Sequence, residues 1–129
     1  MPLYAGIAKQ TVLPKGNEIV KSSILKENKD FRRVYYRGKS EASPCLVTYV
    51  MKNGQRETRV GITSGKKIGG AVQRNRARRV IRAAYAQLGG SFNANYDIVF
   101  VARTRTTQVK MQQVYQEMES HFKSLGVLK

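Results

Sequence analysis

The 129-residue sequence contains no tryptophan, one cysteine (Cys45) and only three prolines. A single cysteine excludes an internal disulfide framework and a multi-cysteine metal site, and it suits a reduced, cytoplasmic setting. No apolar run approaches the roughly 18 residues that a membrane-spanning helix needs. The N-terminus also lacks the basic region and apolar core of a secretory signal. We therefore expect a soluble protein without a membrane partner.

Acidic residues are scarce as well. Aspartate and glutamate number 8 against 24 lysines and arginines, so the formal net charge is +16, while 41% of the residues are apolar, as in a folded domain. A compact domain with this charge repels itself and usually binds a polyanion. Nucleic acid is the first candidate, an anionic membrane the second and an acidic protein the third.

Side chains suited to catalysis are few. The one histidine, His121, lies far along the chain from Cys45, and no closely spaced pair of acids stands beside a turn. Glu117 and Glu119 are two residues apart in a predicted helix, so they point about 200° apart and do not share a site. No P-loop and no GxGxxG motif is present. We predict no catalytic residue and no metal site in this chain, so in an enzyme another component supplies the reactive groups.

Turn signals and apolar periodicity divide the chain. Residues 1–22 have no sustained periodicity and are predicted to form a flexible N-terminal tail, followed by a single α/β domain over residues 23–129. Asn28 is the predicted N-cap of a short helix that ends at Arg37–Gly38. A helix over Ala71–Leu88 ends at Gly89-Gly90, and a last helix, capped by Thr106 or Thr107, continues to about Leu125.

Three segments have the composition of strands. Cys45–Met51 and Glu57–Thr63 flank Asn53-Gly54, the signal of a tight hairpin, and Tyr96–Ala102 is apolar enough for a buried strand. A short extra strand around Ser40–Ala42 is compatible with the pattern. The order of elements predicts an α+β fold: a two-layer α/β sandwich with helices packed on a small, mainly antiparallel sheet and a basic crossover helix.

The helix over Ala71–Leu88 is the most informative segment, because residues 58–96 contain no acid. A solvated helix normally mixes signs to gain ion pairs between neighbouring turns. At about 100° per residue the apolar side chains lie on one face; they are Ala77, Val80, Ile81, Ala84 and Leu88. The polar face carries Asn75, Arg76, Arg78, Arg79 and Arg82, with Arg74 nearer the apolar edge.

Such a face suits phosphate. Guanidinium groups donate two parallel hydrogen bonds to phosphate oxygens, and the five arginines span about 12 Å at 1.5 Å per residue. Lys66, Lys67 and the amides at the helix N-terminus add a second anion site. The alternative is a basic face that serves solubility only. Membrane binding would need bulky apolar residues beside the arginines, and the helix offers alanine and valine there.

Aromatic side chains supply a second candidate surface. Phe31, Tyr35, Tyr36 and Tyr49 lie on the first helix and the strand that follows. Unpaired bases stack on such side chains, although aromatics in a small domain also fill the core. Cys45 is interpreted as an inert strand residue and His121 as a helix surface or edge residue.

Together these motifs resemble the protein subunit of bacterial ribonuclease P. That family carries a KKxG loop and an RNR helix in this order, here Lys66-Lys67-Ile68-Gly69 and Arg74-Asn75-Arg76-Ala77-Arg78-Arg79-Val80-Ile81-Arg82. Further matches are Asp30-Phe31, Arg37-Gly38, Arg59-Val60-Gly61-Ile62, Tyr96-Asp97-Ile98-Val99 and Ala102-Arg103. The resemblance runs from about Leu25 to Leu125. The first 22 residues are longer than the family's usual N-terminal segment, and Gly65 replaces a valine-like residue.

The resemblance implies a ribosomal-protein-like sandwich with a left-handed βαβ crossover, the opposite of the general rule. It implies a protein component of ribonuclease P that helps a catalytic RNA to remove the 5′ leader of precursor tRNA in the cytoplasm. In that family the RNA holds the Mg²⁺ ions and performs the hydrolysis, and one protein, monomeric on its own, is expected per RNA. The alternative is a non-catalytic RNA-binding protein, such as a ribosomal structural component.

The resemblance also implies roles for individual residues. The positions that contact the catalytic RNA are Lys66, Lys67, Arg74, Asn75, Arg76, Arg78, Arg79 and Arg82. The aromatic positions of the cleft that receives the precursor-tRNA leader are Phe31, Tyr35 and Tyr49.

Overall fold

A computed structural model describes residues 22–89 and 92–129. The predicted tail lies outside these residues except for Ser22, where the first strand begins. The strands are β1 (Ser22–Ile24), β2 (Lys39–Ser43), β3 (Leu46–Lys52), β4 (Thr58–Thr63) and β5 (Tyr96–Ala102). The helices are α1 (Asn28–Arg37), α2 (Ala71–Leu88) and α3 (Met111–Leu125), with short 3₁₀ turns at Lys66–Ile68 and Thr104–Gln108.

The strands form one mixed sheet in the order β1-β4-β5-β3-β2. β3 is antiparallel to both β2 and β5, whereas β4 is parallel to both β1 and β5. β5 occupies the centre, and six of its seven residues are buried. A nearly continuous apolar strand gains most from a central position, because helices cover both of its faces there.

The predicted hairpin between β3 and β4 is wrong, because β5 lies between these strands. The local turn chemistry is as expected: Gly54 has φ +65°. However, the Asn53 amide donates to Asn95 O at 3.1 Å, so this loop bonds to the residues that lead into β5. The close hairpin joins β2 to β3 instead, where Ser43 pairs with Leu46 across Pro44 and Cys45. The burial available to β5 outweighs the preference of the Asn-Gly dipeptide for a tight hairpin.

Two helix caps also differ from the predictions. Glu27, not Asn28, is the N-cap of α1, and Lys110 is the N-cap of α3. Thr106 lies in the 3₁₀ turn before α3, where its hydroxyl accepts the Arg103 amide at 2.9 Å and donates to Cys45 O at 2.7 Å. The Thr106 hydroxyl, predicted to cap α3, therefore links this turn to the residue that precedes β3.

The helices pack on both faces of the sheet. Tyr35 of α1 contacts Tyr49 of β3, whereas His121 of α3 bonds to the adjacent Thr48, whose side chain points to the opposite face. α2 lies beside α3, with Tyr85 against Phe100. The main core fills the layer between the sheet and the α2–α3 pair; its fully buried members include Ile81, Ile98, Phe100, Met118 and Phe122.

Candidate nucleic-acid interface

The α2 helix has the predicted bounds, and its apolar side is held by the core. Ala77, Ile81 and Ala84 are completely buried, while Val80 and Leu88 are half-buried. The helix ends at Gly89, whose φ of +74° favours glycine. Tyr85 is a further buried anchor that the aliphatic pattern does not include. The packing fixes the rotation of α2, so its remaining side chains face outward.

Among the residues that the structure describes, no carboxylate forms an ion pair with an arginine of α2. Within the described part of the chain, the ion pairs involve Lys29, Arg33, Arg59 and Lys123. Asn75, Arg76 and Arg79 are exposed, and Arg74, Arg78 and Arg82 are half-buried. We call Arg74, Asn75, Arg76, Arg78, Arg79 and Arg82 the arginine face.

Neutral groups orient several of these side chains. Arg74 Nη1 donates to Gly69 O at 2.8 Å, and Arg76 Nε donates to Thr107 O at 3.3 Å. Arg78 Nη1 donates to Ser64 Oγ at 2.9 Å, and its Nη2 donates to Asn75 Oδ1. A guanidinium group has five N–H donors, so these contacts leave donors free for phosphate.

The arginine face carries positive charges that lie close together and are partly buried. Burial is the main cause that lowers the pKa of Arg78, and the positive charges of Arg74 and Arg82 lower this pKa further. The pKa of Arg82 is lowered for the same reasons, by burial first and then by Arg79. These side chains stay charged at any relevant pH. The smaller, coulombic part of each shift reflects repulsion between neighbouring arginines, which a bound anion would relieve.

The KKxG loop extends the charge beyond the helix. Lys66 and Lys67 are exposed in their 3₁₀ turn. The buried side chain of Ile68 anchors this turn. The turn Thr104–Gln108 packs against α2 and brings exposed Arg103 and Arg105 to the same end of the molecule. Sequence reasoning missed these two cations as members of the surface, because only the fold places them there.

The predicted aromatic residues come together on the opposite face of the sheet. The rings of Tyr35 and Tyr49 are 4.9 Å apart in an edge-on arrangement, and Phe31 lies 6.5 Å from Tyr35. Tyr35 is 39% exposed, whereas Phe31 is 6% exposed. We call these three residues the aromatic cleft. Phe31 forms its floor, and the two tyrosines offer accessible ring surface.

Gly61 makes room for that floor. It pairs with Val99, which in turn pairs with Tyr49, so one row across the sheet lies under α1. A Cβ atom on Gly61 would lie 2.5 Å from Phe31 Cζ. The glycine lets the phenylalanine ring approach the sheet backbone closely.

The aromatic cleft and the KKxG loop lie next to each other at the carboxyl end of β4. Burial raises the pKa of Tyr35. A side-chain hydrogen bond to Thr63, the last residue of β4, lowers this pKa and partly offsets the effect of burial. The chain continues from Thr63 through Ser64 and Gly65 into Lys66. The aromatic cleft therefore opens beside the KKxG loop.

Arg59 is the exception in the acid-free stretch. Its Nε and Nη2 donate to the buried carboxylate of Asp97 at 2.9 and 2.7 Å, and its Nη1 lies 3.6 Å from Asp30 Oδ2. The hydrogen bond to Asp97 is the main cause that raises the pKa of Arg59. Arg59 thus neutralises acids inside the fold and does not belong to the free surface charge.

His121 is buried, at 4% exposed, so its interpretation as a surface or edge residue is wrong. Its Nδ1 lies 2.8 Å from Thr48 Oγ1, and its Nε2 has no hydrogen-bond partner within the described residues. Burial is the first cause that lowers its pKa, against the opposing effects of Glu117 and Glu41. Its spacing from Val114 and Met118 is that of the buried face of α3, so the polar residue type, and not the helical spacing, suggested a surface position.

No cluster of three or more histidine, cysteine, aspartate or glutamate side chains suited to a metal ion occurs in residues 22–89 and 92–129. No helix in these ranges is long and apolar enough to cross a membrane. Glu117 is the centre of a small polar cluster. Its carboxylate accepts hydrogen bonds from Ser43 Oγ, the Cys45 backbone amide and Gln113 Nε2. Burial raises the pKa of the Cys45 thiol to about 11, so Cys45 is an unreactive thiol.

Comparison with known proteins decides the family. The model of the family described as Ribonuclease P matches residues 19–126. The chain belongs to the ribonuclease P protein family. Its identity to the ribonuclease P protein component of Clostridioides difficile is 40% over 104 residues, covering 80% of this chain and 91% of that one. Identity to the component of Pelotomaculum thermopropionicum is 45% over 91 residues, covering 70% and 81% of the two chains.

Solved structures agree with this assignment. The RNase P protein of Staphylococcus aureus superposes with a TM-score of 0.73 at 31% identity, covering 84% of this chain and all of that one. The RNase P protein of Thermotoga maritima gives 0.67 at 26% identity, covering 76% and 93%. This chain is therefore the protein subunit of a ribonucleoprotein endoribonuclease, associates with ribonuclease P RNA and supports 5′ maturation of tRNA.

Proposed function

We propose that the arginine face, together with Lys66 and Lys67, binds the catalytic RNA of ribonuclease P. The observation that carries this proposal is an acid-free helix whose arginines have only neutral partners among the described residues. Phosphate groups would satisfy the free guanidinium donors and relieve their mutual repulsion. By neutralising backbone charge, the protein lets the RNA reach its active fold at a lower Mg²⁺ concentration.

The aromatic cleft receives the single-stranded leader of precursor tRNA. Tyr35 and Tyr49 offer ring surface for stacking, which contributes about 1–3 kcal/mol per base, and Phe31 supports them from below. Mature tRNA has no leader, so these contacts favour the precursor over the product. The adjacent KKxG loop can neutralise phosphates near the cleft.

The chemical step belongs to the RNA, which in this proposal holds the Mg²⁺ that the reaction needs. Three acids have partners inside the fold: Asp97 and Asp30 face Arg59, and Glu117 accepts three hydrogen bonds. Because these residues do not form a metal-binding group, we assign them no part in metal binding. We place one protein, monomeric when free, on each RNA in the cytoplasm.

Reconstitution tests the proposal. Leader removal is measured with the catalytic RNA alone and with added protein, across a range of Mg²⁺ concentrations. We expect the protein to restore cleavage at Mg²⁺ concentrations where the RNA alone is inactive, and Arg76→Ala with Arg79→Ala and Arg82→Ala to weaken this effect. Binding to the catalytic RNA without any stimulation of cleavage at low Mg²⁺ would overturn the proposed effect on the active fold of the RNA.

A further inference from the structure

The outer side of α1 forms a surface that neither the arginine face nor the aromatic cleft includes. Asp30, Phe31 and Val34 of this helix are buried against the sheet. The opposite side carries residues at helical spacings of three and four, all exposed; they are Lys29, Arg32, Arg33, Tyr36 and Arg37. Tyr36 is 87% exposed, more than any other large hydrophobic residue in the described ranges.

These side chains and Tyr35 line a shallow hollow that is mostly open to solvent. Its lining consists of Lys29, Arg32, Arg33, Tyr35, Tyr36 and Arg37. Four of the six residues are cations and the other two are tyrosines. The hollow therefore combines positive charge with accessible ring surface.

Nearby acids neutralise only part of this charge. Lys29 Nζ lies 3.7 Å from Glu27 Oε1, and Arg33 Nη1 lies 3.3 Å from Asp30 Oδ1. Asp30 also faces Arg59, so it serves two arginines. Arg32 and Arg37 have no hydrogen bond or ion pair within the residues that the structure describes.

An exposed tyrosine flanked by free guanidinium groups fits an unpaired nucleic-acid strand. A base can stack on the ring while the arginines bind the phosphates on either side. A duplex would leave the ring without a partner, because its bases are already stacked.

Tyr35 connects this hollow to the aromatic cleft. Its ring contacts Phe31 and Tyr49 in the cleft and also lines the hollow. Tyr36 is the next residue of α1, about 100° further round the helix, so a strand that leaves the cleft across Tyr35 can reach it.

We propose that the outer side of α1 binds the leader nucleotides of precursor tRNA that extend beyond the aromatic cleft. Tyr36 is the stacking platform, and Arg32 and Arg37 bind phosphates. This inference rests on the proposed function, in which this protein binds the leader. It predicts that the protein distinguishes long leaders from short ones.

The test uses the reconstituted holoenzyme and a series of precursors whose leaders grow one nucleotide at a time. Affinity should rise in two steps: Tyr49→Ala abolishes the first, and Tyr36→Ala or Arg32→Ala with Arg37→Ala abolishes the second. With the longest leaders we expect Tyr36→Ala to weaken binding about tenfold. Tyr36→Phe keeps the ring and should retain the wild-type affinity, and Lys123→Ala on α3 removes an exposed cation elsewhere without effect.

Three outcomes are decisive. Equal affinity of Tyr36→Ala and wild type at every leader length would overturn the proposal. A loss of the same size with all leaders, or a weakened affinity for the catalytic RNA alone, would also overturn it, because the outer side of α1 would then serve that RNA. If Tyr49→Ala has no effect while Tyr36→Ala shows the length-dependent loss, the cleft assignment fails and the outer site stands.

Discussion

At the scale of single residues, Gly61 is where one added methyl group would disturb the aromatic cleft most directly. Its Cβ would lie 2.5 and 2.6 Å from two atoms of the Phe31 ring. Because Phe31 is buried, the ring can move only by displacing its neighbours. We expect Gly61→Ala to lower the free energy of unfolding by about 1–3 kcal/mol, as overpacking usually does, measured by urea denaturation.

Gly65→Ala is the matched control. A Cβ there meets no atom within 4 Å, and the backbone φ of −84° suits alanine. The same chemical change should therefore leave the unfolding midpoint nearly unchanged or slightly raised. Equal midpoints for the two variants would show that Phe31 does not need the space above Gly61.

His121 makes stability depend on pH. Burial is the first cause that lowers its pKa from 6.5, and the facing carboxylates of Glu117 and Glu41 only partly oppose the shift. The unfolded chain therefore binds a proton at this position more readily than the folded chain does. Stability is full above pH 6.5 and should be lost as the pH falls from 6.5 through the lower folded pKa. Urea denaturation at a series of pH values measures this loss.

His121→Gln provides the comparison, because glutamine can still bond to Thr48 but does not titrate. Its stability should fall less than that of the wild type as the pH drops below 6.5. Glu117 affects stability in a different pH range. Burial alone would raise its pKa, but its hydrogen bonds outweigh burial and lower the pKa from 4.5. Its contribution to the free energy of unfolding is therefore lost only below pH 4.5. Parallel pH profiles of the two proteins above pH 4.5 would contradict the role of His121.

Residue roles were predictable where neighbours in sequence determine them. The exposed positions Arg76 and Arg79 follow from the helical period, since the apolar stripe fixes which side faces water. Arg59 does not follow in this way, because its partner Asp97 is 38 positions away and only the β4–β5 pairing brings them together. The hydrogen-bond partner of His121 was likewise not predictable, because Thr48 is 73 positions away.

At the scale of elements, α2 should dominate the salt dependence of RNA binding. Each phosphate that the protein neutralises releases counterions, so about six contacts give a slope of log K against log salt of roughly −4 to −5. Arg79 is exposed, and no internal contact holds its guanidinium in the described structure. Arg79→Ala should weaken binding to the catalytic RNA and reduce the magnitude of the slope by about 1, measured by filter binding or fluorescence titration.

Lys123→Ala controls for the loss of one positive charge. Lys123 lies on α3, is exposed and pairs only with Glu119 at 3.9 Å. Its removal should leave the slope unchanged. Unchanged RNA affinity at low salt for the combined Arg76→Ala, Arg79→Ala and Arg82→Ala variant would refute the assignment of the arginine face.

Element predictions succeeded where the pattern is long and strongly periodic. The bounds of α2 and β5 are those predicted, because capping glycines and an apolar run mark them. The sheet order was not predictable from the Asn53-Gly54 turn, since local turn chemistry does not say which strand occupies the centre. β1 was missed because three residues, paired only with β4, have no periodicity to detect.

At the scale of the whole molecule, the net charge of +16 should make the free protein less stable at low ionic strength. Added salt has two opposing effects: it screens repulsion among the surface cations, and it weakens ion pairs. The strongest described ion pair, Arg59 with Asp97, involves a completely buried carboxylate, which salt screens little. Relief of repulsion should therefore prevail, and the melting temperature should rise by a few degrees between about 0.1 and 1 M KCl, where the Debye length falls from ~10 to ~3 Å.

A variant with fewer surface cations tests this cause directly. Lys67→Glu with Arg79→Glu changes the charge by two units at each position, from +16 to +12, and both side chains are exposed. Calorimetry at low salt should give this variant a higher melting temperature than the wild type and a smaller rise on adding KCl. A melting temperature that falls with salt in both proteins would mean that attractive ion pairs, not repulsion, control their stability. Repulsion among the arginines of the arginine face would then not limit the stability of the free protein.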